Sequence, residues 1–399
     1  MKSNYKKLGY YIRPIDERNH DDTLGEDNLY GISVTKEFII SHANLVGVTF
    51  DGYKVVAPKQ FAYIPDTSRR GEKIAISLNQ FGKEIIVSSI CSVFEIIDEN
   101  ELLPEYLMLW FMRPEFDRYA RFMSNGSARE VFDWDCMCDV ELPVPPIAKQ
   151  CKIVHDYQVI TDRIRLLRNI SITIEAIINS VFKHLILEND KYDEFTLFEF
   201  GQYPATYSIK KMMEIVDVRD GTHDSPSAVA AGHKLVTSVH LNPYSVNKED
   251  AYAISDADYN EINKRSVVST WDILMSMIGT VGRLSLVTDN PVDYAIKNMA
   301  LFKTSKLSHG MRLYLLSYLK SDITSKYLLS FLSGSTQSYV CLETLRLMPV
   351  IIPIENDLQS FTETVEPLYL LLISFEKEIC CLESLVSKLY PKILKIIKQ

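Results

Sequence analysis

The sequence predicts an α+β protein with two globular segments separated by a pair of long antiparallel coiled-coil helices, its halves related by a pseudo-twofold internal repeat. Three observations predict this. The chain corresponds with itself at a shift of 208 positions, two long apolar series keep a 3.5-residue period, and a proline-punctuated apolar strand precedes each series.

At that shift Phe94 meets Phe302, Tyr106-Leu107 meets Tyr314-Leu315, and Tyr119 meets Tyr327. Gly126-Ser127 meets Gly334-Ser335, Pro145 meets Pro353, and Glu175 meets Glu383. Identities are few, so the periodicity carries more weight. From Ile153 the apolar positions run Tyr157, Ile160, Ile164, Leu167, Ile174, Ile178, Val181 and Leu185, interrupted only by Ser171. The shifted set is Phe361, Val365, Leu368, Leu372, Phe375, Ile379, Leu382, Val386, Leu389 and Ile393, and every member is apolar. A 3.5-residue period held this long is a coiled-coil seam, and two seams in one register most simply pack on each other.

The elements follow in order. The first globular segment is 1–148, with a strand at Glu84–Val87, a helix around 104–123, a Gly-Ser turn, and the strand Val140–Pro145. A proline just before a helix is a start signal, and the central spacer helix takes 149–188, free of Pro and Gly from 150 to 187. The polar stretch Leu187-Glu188-Asn189-Asp190-Lys191 leads into the second globular segment, 189–356. There a strand at Ala300–Lys303, a helix around 312–332, a Gly-Ser turn and the strand Pro349–Pro353 repeat the order. The C-terminal spacer helix takes 357–399, and Pro391 should kink or end it. A 37-residue helix is about 55 Å long, which spans on the order of 16 base pairs. An antiparallel pair of such rods would hold two dissimilar modules a set distance apart.

Composition sets the limits. The chain has 399 residues, enough for two or three domains. Hydrophobic residues at 47% and charged residues at 24% exclude a disordered chain. The apolar stretch Leu368–Phe375 falls short of the roughly 20 residues a spanning helix needs, and the N-terminus has no apolar core of a signal peptide. Seven cysteines at irregular spacing read as thiols of a reduced, cytoplasmic protein. The net charge of −9 argues against a free-standing nucleic-acid binder.

Catalytic signatures are missing. The sequence has no phosphate-binding Gly-x-x-x-x-Gly-Lys motif, no His-Glu-x-x-His and no Gly-x-Ser-x-Gly. Cys136-x-Cys138 has no second pair with which to hold zinc. Asn242-Pro243-Tyr244 lacks the second proline of an amino-methyltransferase tetrapeptide, and no Gly-rich cofactor loop precedes it.

Several segments nevertheless match one family. Tyr53-Lys54-Val55-Val56-Ala57-Pro58-Lys59-Gln60-Phe61-Ala62-Tyr63 resembles the strand-and-turn signature of one subtype within it, and Asp220-Gly221-Thr222-His223-Asp224-Ser225-Pro226 resembles a signature of another. The third runs from Asp272 through Ile278-Gly279-Thr280-Val281-Gly282, and Leu142-Pro143-Val144-Pro145-Pro146 with Gln150 leads into the spacer helix. In this order, with the repeat, the whole chain resembles the specificity (S) subunit of a type I restriction–modification system.

The resemblance implies two target-recognition domains alternating with two spacer helices, at 1–148, 149–188, 189–356 and 357–399. It implies a non-catalytic subunit that reads a bipartite, asymmetric site in double-stranded DNA. Such a subunit scaffolds two methyltransferase (M) subunits, joined by restriction/motor (R) subunits. No cofactor is expected on this chain; S-adenosylmethionine, ATP and Mg are expected on the partner subunits. Neither a membrane nor a metal is implied. Two rival readings are a fused DNA methyltransferase or nuclease of a related restriction class, and a structural coiled-coil scaffold that binds proteins only.

Base reading needs directional donors and acceptors on loops that reach a groove. In the first segment Arg69, Arg70 and Lys73 lie on a polar Gly-containing loop, with a solvated turn as the alternative. Arg129 and Gln337 follow the two Gly-Ser turns, for which a helix C-cap is the alternative. His223, Asp224 and Arg283 lie in the family-like motifs of the second segment. Arg113, Arg118 and Arg121 are expected to be solvated, or paired with Glu115 and Asp117. The seam residues expected to pack the spacer are Ile153, Tyr157, Ile160, Ile164, Leu167, Phe361, Val365, Leu368, Leu372 and Phe375.

Overall fold

The computed structural model describes residues 5–20, 23–40, 49–66, 73–124, 131–332 and 339–397, with side chains as far as residue 388. The chain divides into two compact units, one of 1–162 with 384–399 and one of 163–383. The division cuts through both long helices, so each unit owns a stretch of each.

In the first unit, strand β1 (Tyr5–Lys7) waits for its partner until the end of the segment. A four-stranded antiparallel sheet holds β2 (Ile12–Ile15), β3 (Phe61–Tyr63), β4 (Ile76–Leu78) and β5 (Ser92–Ile96) in the order β2-β5-β3-β4. Every residue of β3 and β4 is buried, because both faces of the sheet are covered. On one face Phe61 stacks on Phe94 at 4.8 Å, and Phe111 meets Phe61 edge-on at 5.8 Å. Helices α1 (Pro104–Phe111) and α2 (Pro114–Met123) supply that cover. The sequence predicts one helix here, and the structure has two. Pro114 brings no amide hydrogen and forces Arg113 into extended backbone (φ −75°, ψ 139°), which ends α1 and starts α2. The short helix α3 (Trp134–Cys138) is capped by Asp133, which accepts from the Cys136 amide at 2.8 Å. Strand β6 (Glu141–Pro143) then pairs with β1, and helix α4 (Ile147–Phe182) begins.

Gln150 knits that start together. Its amide oxygen accepts from the Leu103 amide at 2.9 Å, and its nitrogen donates to the Glu101 and Pro145 carbonyls at 2.8 Å each. One turn on, Ile153 and Val154 are buried in the core that Phe61 and Phe94 anchor, with Tyr157 packed at its edge. Asp117, expected beside an arginine, instead pairs with buried Lys36 at 2.9 Å and accepts from the Ile74 amide at 3.2 Å. Arg113 stacks on Trp110 at 3.9 Å and reaches Glu115 at 3.4 Å; Arg118 reaches the same carboxylate at 3.5 Å.

The second unit repeats this plan. Strand β7 (Ser208–Lys211) takes the place of β1, and the sheet order is β8 (Val218–Asp220), β11 (Met299–Phe302), β9 (Ile273–Ser276), β10 (Leu284–Leu286). Beside the sheet, His233–Val236 pairs in parallel with Tyr294–Ile296 next to helix α5 (Asp256–Ser266), where the first unit instead pairs Lys54–Val56 antiparallel with Ile85–Val87. Helices α6 (His309–Lys320) and α7 (Asp322–Leu332) follow, broken at the extended residue Ser321. Then come α8 (Leu342–Leu347), β12 (Pro349–Ile352) paired with β7, and the long helix α9 (Glu355–Ile397). Pro391 does not end this helix, which runs on to Ile397. In the sheet, buried Lys303 pairs with buried Asp272, whose oxygens also accept from the Ser269 and Ser305 amides at 2.8 and 3.1 Å.

Within this unit the two long helices run antiparallel. The Phe182 ring lies 5.8 Å from Phe361, and Arg163 reaches Glu378 at 2.7 Å, so descending α4 means ascending α9. A second ion pair joins Arg168 to Glu383. Ile174, Ile178, Phe182, Phe361, Val365 and Leu372 are buried in one core, with Leu368 and Phe375 packed on it. Ile164 and Leu167 are buried too, and Ile160 is half-buried in the first unit's part of α4. Lys320 and the Tyr244 hydroxyl both reach Glu175 of α4, at 2.6 and 2.8 Å, while Ser245 donates to Glu376 of α9 at 2.9 Å. By length and composition the helical stretch Ile147–Leu187 could cross a membrane, unlike the shorter run the sequence reading measured. Here Ile174, Ile178, Phe182 and Ile186 of that stretch line a protein core.

Candidate nucleic-acid interface

Strand register gathers the candidate loops at one end of each four-stranded sheet. In the first unit Ile15 is opposite Val93, and Tyr63 is opposite both Ser92 and Ile76. The connection 64–75 between β3 and β4 therefore leaves from the same end as the chain following β2 and the chain entering β5. The chain returning from α2 joins them there. Val131 bridges Asp66, and the Phe132 amide donates to the Pro65 carbonyl at 2.8 Å. Arg69, Arg70 and Arg129 lie outside the described residues, in two segments whose flanks pair with each other. Lys73, at the close of the first segment, is exposed.

The second unit builds the same corner. Asp220 is opposite Ala300, Ser276 opposite Met299, and Met275 opposite Leu284. The stretches 221–226, 277–283 and 297–298 thus share one sheet end. Ile278 bridges Tyr339, and the Val340 amide donates to the Met277 carbonyl at 3.0 Å, matching the Val131 and Phe132 contacts of the first unit. Gln337 lies outside the described residues, in the segment this bridge closes.

Local chemistry fixes the described side chains. Gly221 packs so tightly that a Cβ there would sit 2.4 Å from the Ile296 carbonyl oxygen. The His223 ring is held between Asn298 Oδ1 at 2.9 Å and Asp220 Oδ2 at 3.0 Å, and remains exposed. Asp220 also faces Arg265 at 3.4 Å, and Arg265 donates to the Gly221 carbonyl at 3.2 Å. Lys297 donates to Ser225. Asp224 is exposed, its amide bound to Thr222 Oγ1 at 3.1 Å, and its carboxylate meets no partner among the described residues.

The hairpin between β9 and β10 turns through Gly279 (φ +75°) and Gly282 (φ +84°), conformations that suit glycine. Ser276 closes it, its hydroxyl accepting from the Arg283 amide at 2.9 Å. The Arg283 guanidinium is exposed and meets no partner among the described residues.

The structure thus brings His223, Asp224 and Arg283 to one corner. It adds Asp220, Arg265, Lys297 and Asn298, which sequence reading did not select. Asn298 adopts φ +54°, and Arg265 closes a helix distant in sequence, so neither carried a local signal. Arg219 at this edge is paired with Asp217 at 2.7 Å, and Lys264 with Glu261 at 2.5 Å. The arrangement offers charged donors and acceptors on one exposed rim, which suits reading of polar edges. Among the described residues no cluster of His, Cys, Asp and Glu could hold a metal ion.

Comparison with known proteins agrees with this plan. No family model matches the chain. Its sequence is 22% identical over 311 residues to the MjaIX specificity subunit, a type I restriction enzyme component of Methanocaldococcus jannaschii. That match covers 75% of this chain and 70% of the relative. It is 20% identical over 286 residues to the MjaVIII specificity subunit of the same organism, covering 69% of this chain and 65% of the relative. Its fold is similar to the crystal structure of the type I restriction–modification S subunit from M. genitalium, with a TM-score of 0.55 and 11% identity. That match covers 98% of this chain and 95% of the other. In sequence and in fold, the chain is related to the specificity subunits of type I restriction enzymes.

Proposed function

We infer that this chain is the specificity subunit of a type I restriction–modification complex, reading DNA sequence and organising the assembly without catalysing a reaction itself. One observation carries the reading. Among the described residues the same sheet-end corner is built twice, each time from the strand-end loops and a bridge to the chain returning from the second helix, but with different side chains. Two unlike readers in one chain suit a bipartite, asymmetric site in double-stranded DNA.

Each unit contributes one reader, through Arg69, Arg70, Lys73 and Arg129 in the first and through His223, Asp224, Arg283 and Gln337 in the second. Charge-assisted contacts from arginine suit guanine and phosphate, and Gln337 suits adenine. The acidic net charge leaves phosphate contacts to be shared with other subunits. Two methyltransferase subunits and the restriction/motor subunits are the partners, in the cytoplasm. They bring S-adenosylmethionine, ATP and Mg.

A fused methyltransferase or nuclease is disfavoured because both units are spent on the repeat. A protein-only scaffold leaves the polar, exposed corners without a task. Sequencing the methylome of a host with and without the gene tests the reading. Loss of one split adenine motif is the expected result; an unchanged methylome would refute it.

A further inference from the structure

We propose that Ile278 and Tyr339 form an apolar edge that reads the 5-methyl group of a thymine in the half-site contacted by the second unit. The inference rests on the DNA-reading function above and adds a base preference to it.

The two residues face each other across the backbone bridge that closes the sheet-end corner. Strand alternation sends their neighbours inward: Met277 is 3% exposed and Val340 is 2% exposed. Ile278 and Tyr339 point outward, at 40% and 48% exposure. An apolar pair is thus set in a rim that otherwise offers His223, Asp224, Thr280 and Arg283. A rim serving only phosphates and hydrogen-bonding base edges has no use for it. Thymine alone presents an apolar group in the major groove, its methyl, and apolar side chains are what contact it. The bridge fixes the backbone of both residues, so no backbone ordering is needed on contact. Arg283, on the same hairpin and without a side-chain partner among the described residues, supplies the adjoining positive charge.

The first unit differs at this point. Its matching bridge joins Asp66 to Val131, an acidic and an aliphatic residue. The apolar edge therefore belongs to one reader only, and the methyl requirement should be confined to one half-site.

The test uses the assembled complex and duplexes carrying its own methylated motif, with deoxyuridine replacing each thymidine in turn. Deoxyuridine lacks only the methyl group. Replacement at one position in one half-site should weaken binding about fourfold, the effect of burying one methyl. In Ile278→Ala and Tyr339→Ala complexes, dT and dU at that position should bind equally, while binding to non-specific duplex and its salt dependence stay as in the parent. Equal binding of dT and dU everywhere by the parent, a half-site pair lacking A·T, or variants that keep the discrimination would each overturn the proposal. All three leave the DNA-reading function standing; a complex with no sequence preference at all would instead defeat that function.

Discussion

The Tyr106 hydroxyl donates to the Pro143 carbonyl across 3.0 Å, tying helix α1 to the strand that precedes the first long helix. The second unit repeats the contact 208 residues later, where Tyr314 donates to the Ile351 carbonyl. Both tyrosines are buried, and burial pushes both phenols well above their ordinary pKa, so each acts as a neutral donor. The repeat is thus written in hydrogen bonds as well as in element order.

Removing either hydroxyl leaves a carbonyl without this donor. Tyr106→Phe and Tyr314→Phe should each lower stability by about 1–3 kcal/mol. Because the two sites share no partner, their costs should add in the double variant. Urea denaturation measures both.

Lys36 and Asp117 form an ion pair with both side chains buried. Desolvation lowers the Lys36 pKa, against the pull of Asp117. Lys36→Met strands the carboxylate and should cost roughly 3–5 kcal/mol, whereas replacing both partners by apolar residues should restore most of the loss. Thermal unfolding of the single and double variants distinguishes the two.

Asp357 opens α9 and accepts from the Tyr192 and Tyr207 hydroxyls at 2.6 Å each, with Lys191 at 3.3 Å. Burial alone would raise its pKa, but those donors and the Lys191 charge together hold the carboxyl below its ordinary value. A depressed folded pKa means stability that is full above the unfolded value of about 4 and is lost as pH falls through the folded value. Asp357→Asn should flatten that acid-side slope, as read from denaturation curves between about pH 5 and pH 2.

Gly221 carries no Cβ because the Ile296 carbonyl oxygen lies where one would go. Gly221→Ala must shift the backbone just before His223 and Asp224. Sequence preference in one half-site should relax while the other stays intact, and methylome sequencing of a strain carrying the variant reads this directly.

Arg283 and the pair Arg69 and Arg70 belong to different units. Arg283→Ala should weaken or relax one half-site, and Arg69→Ala with Arg70→Ala the other, by about 1–3 kcal/mol where a base contact is lost. Gel shifts with each half-site scrambled in turn assign the residues; effects on both half-sites from a single unit would show the assignment to be wrong.

The sequence by itself determined the two long helices, their buried faces and the doubled order of elements. A 3.5-residue apolar period is a local pattern that marks the face turned to a core: Ile174, Ile178, Phe361 and Val365 are buried, while Tyr157 and Ile160 are half-buried. The family-like motifs also singled out the Asp220–Pro226 and Asp272–Gly282 segments. Tertiary structure alone decided what those segments meet. The Ile278–Tyr339 bridge, the cradle of Asp220 and Asn298 around His223, and the Lys36–Asp117 pair each join residues at least 61 apart or set by strand register, save for Asp220 and His223 themselves. Strand register is fixed by which faces are buried across a whole sheet, and that is a property of the assembled core that no single stretch of chain contains.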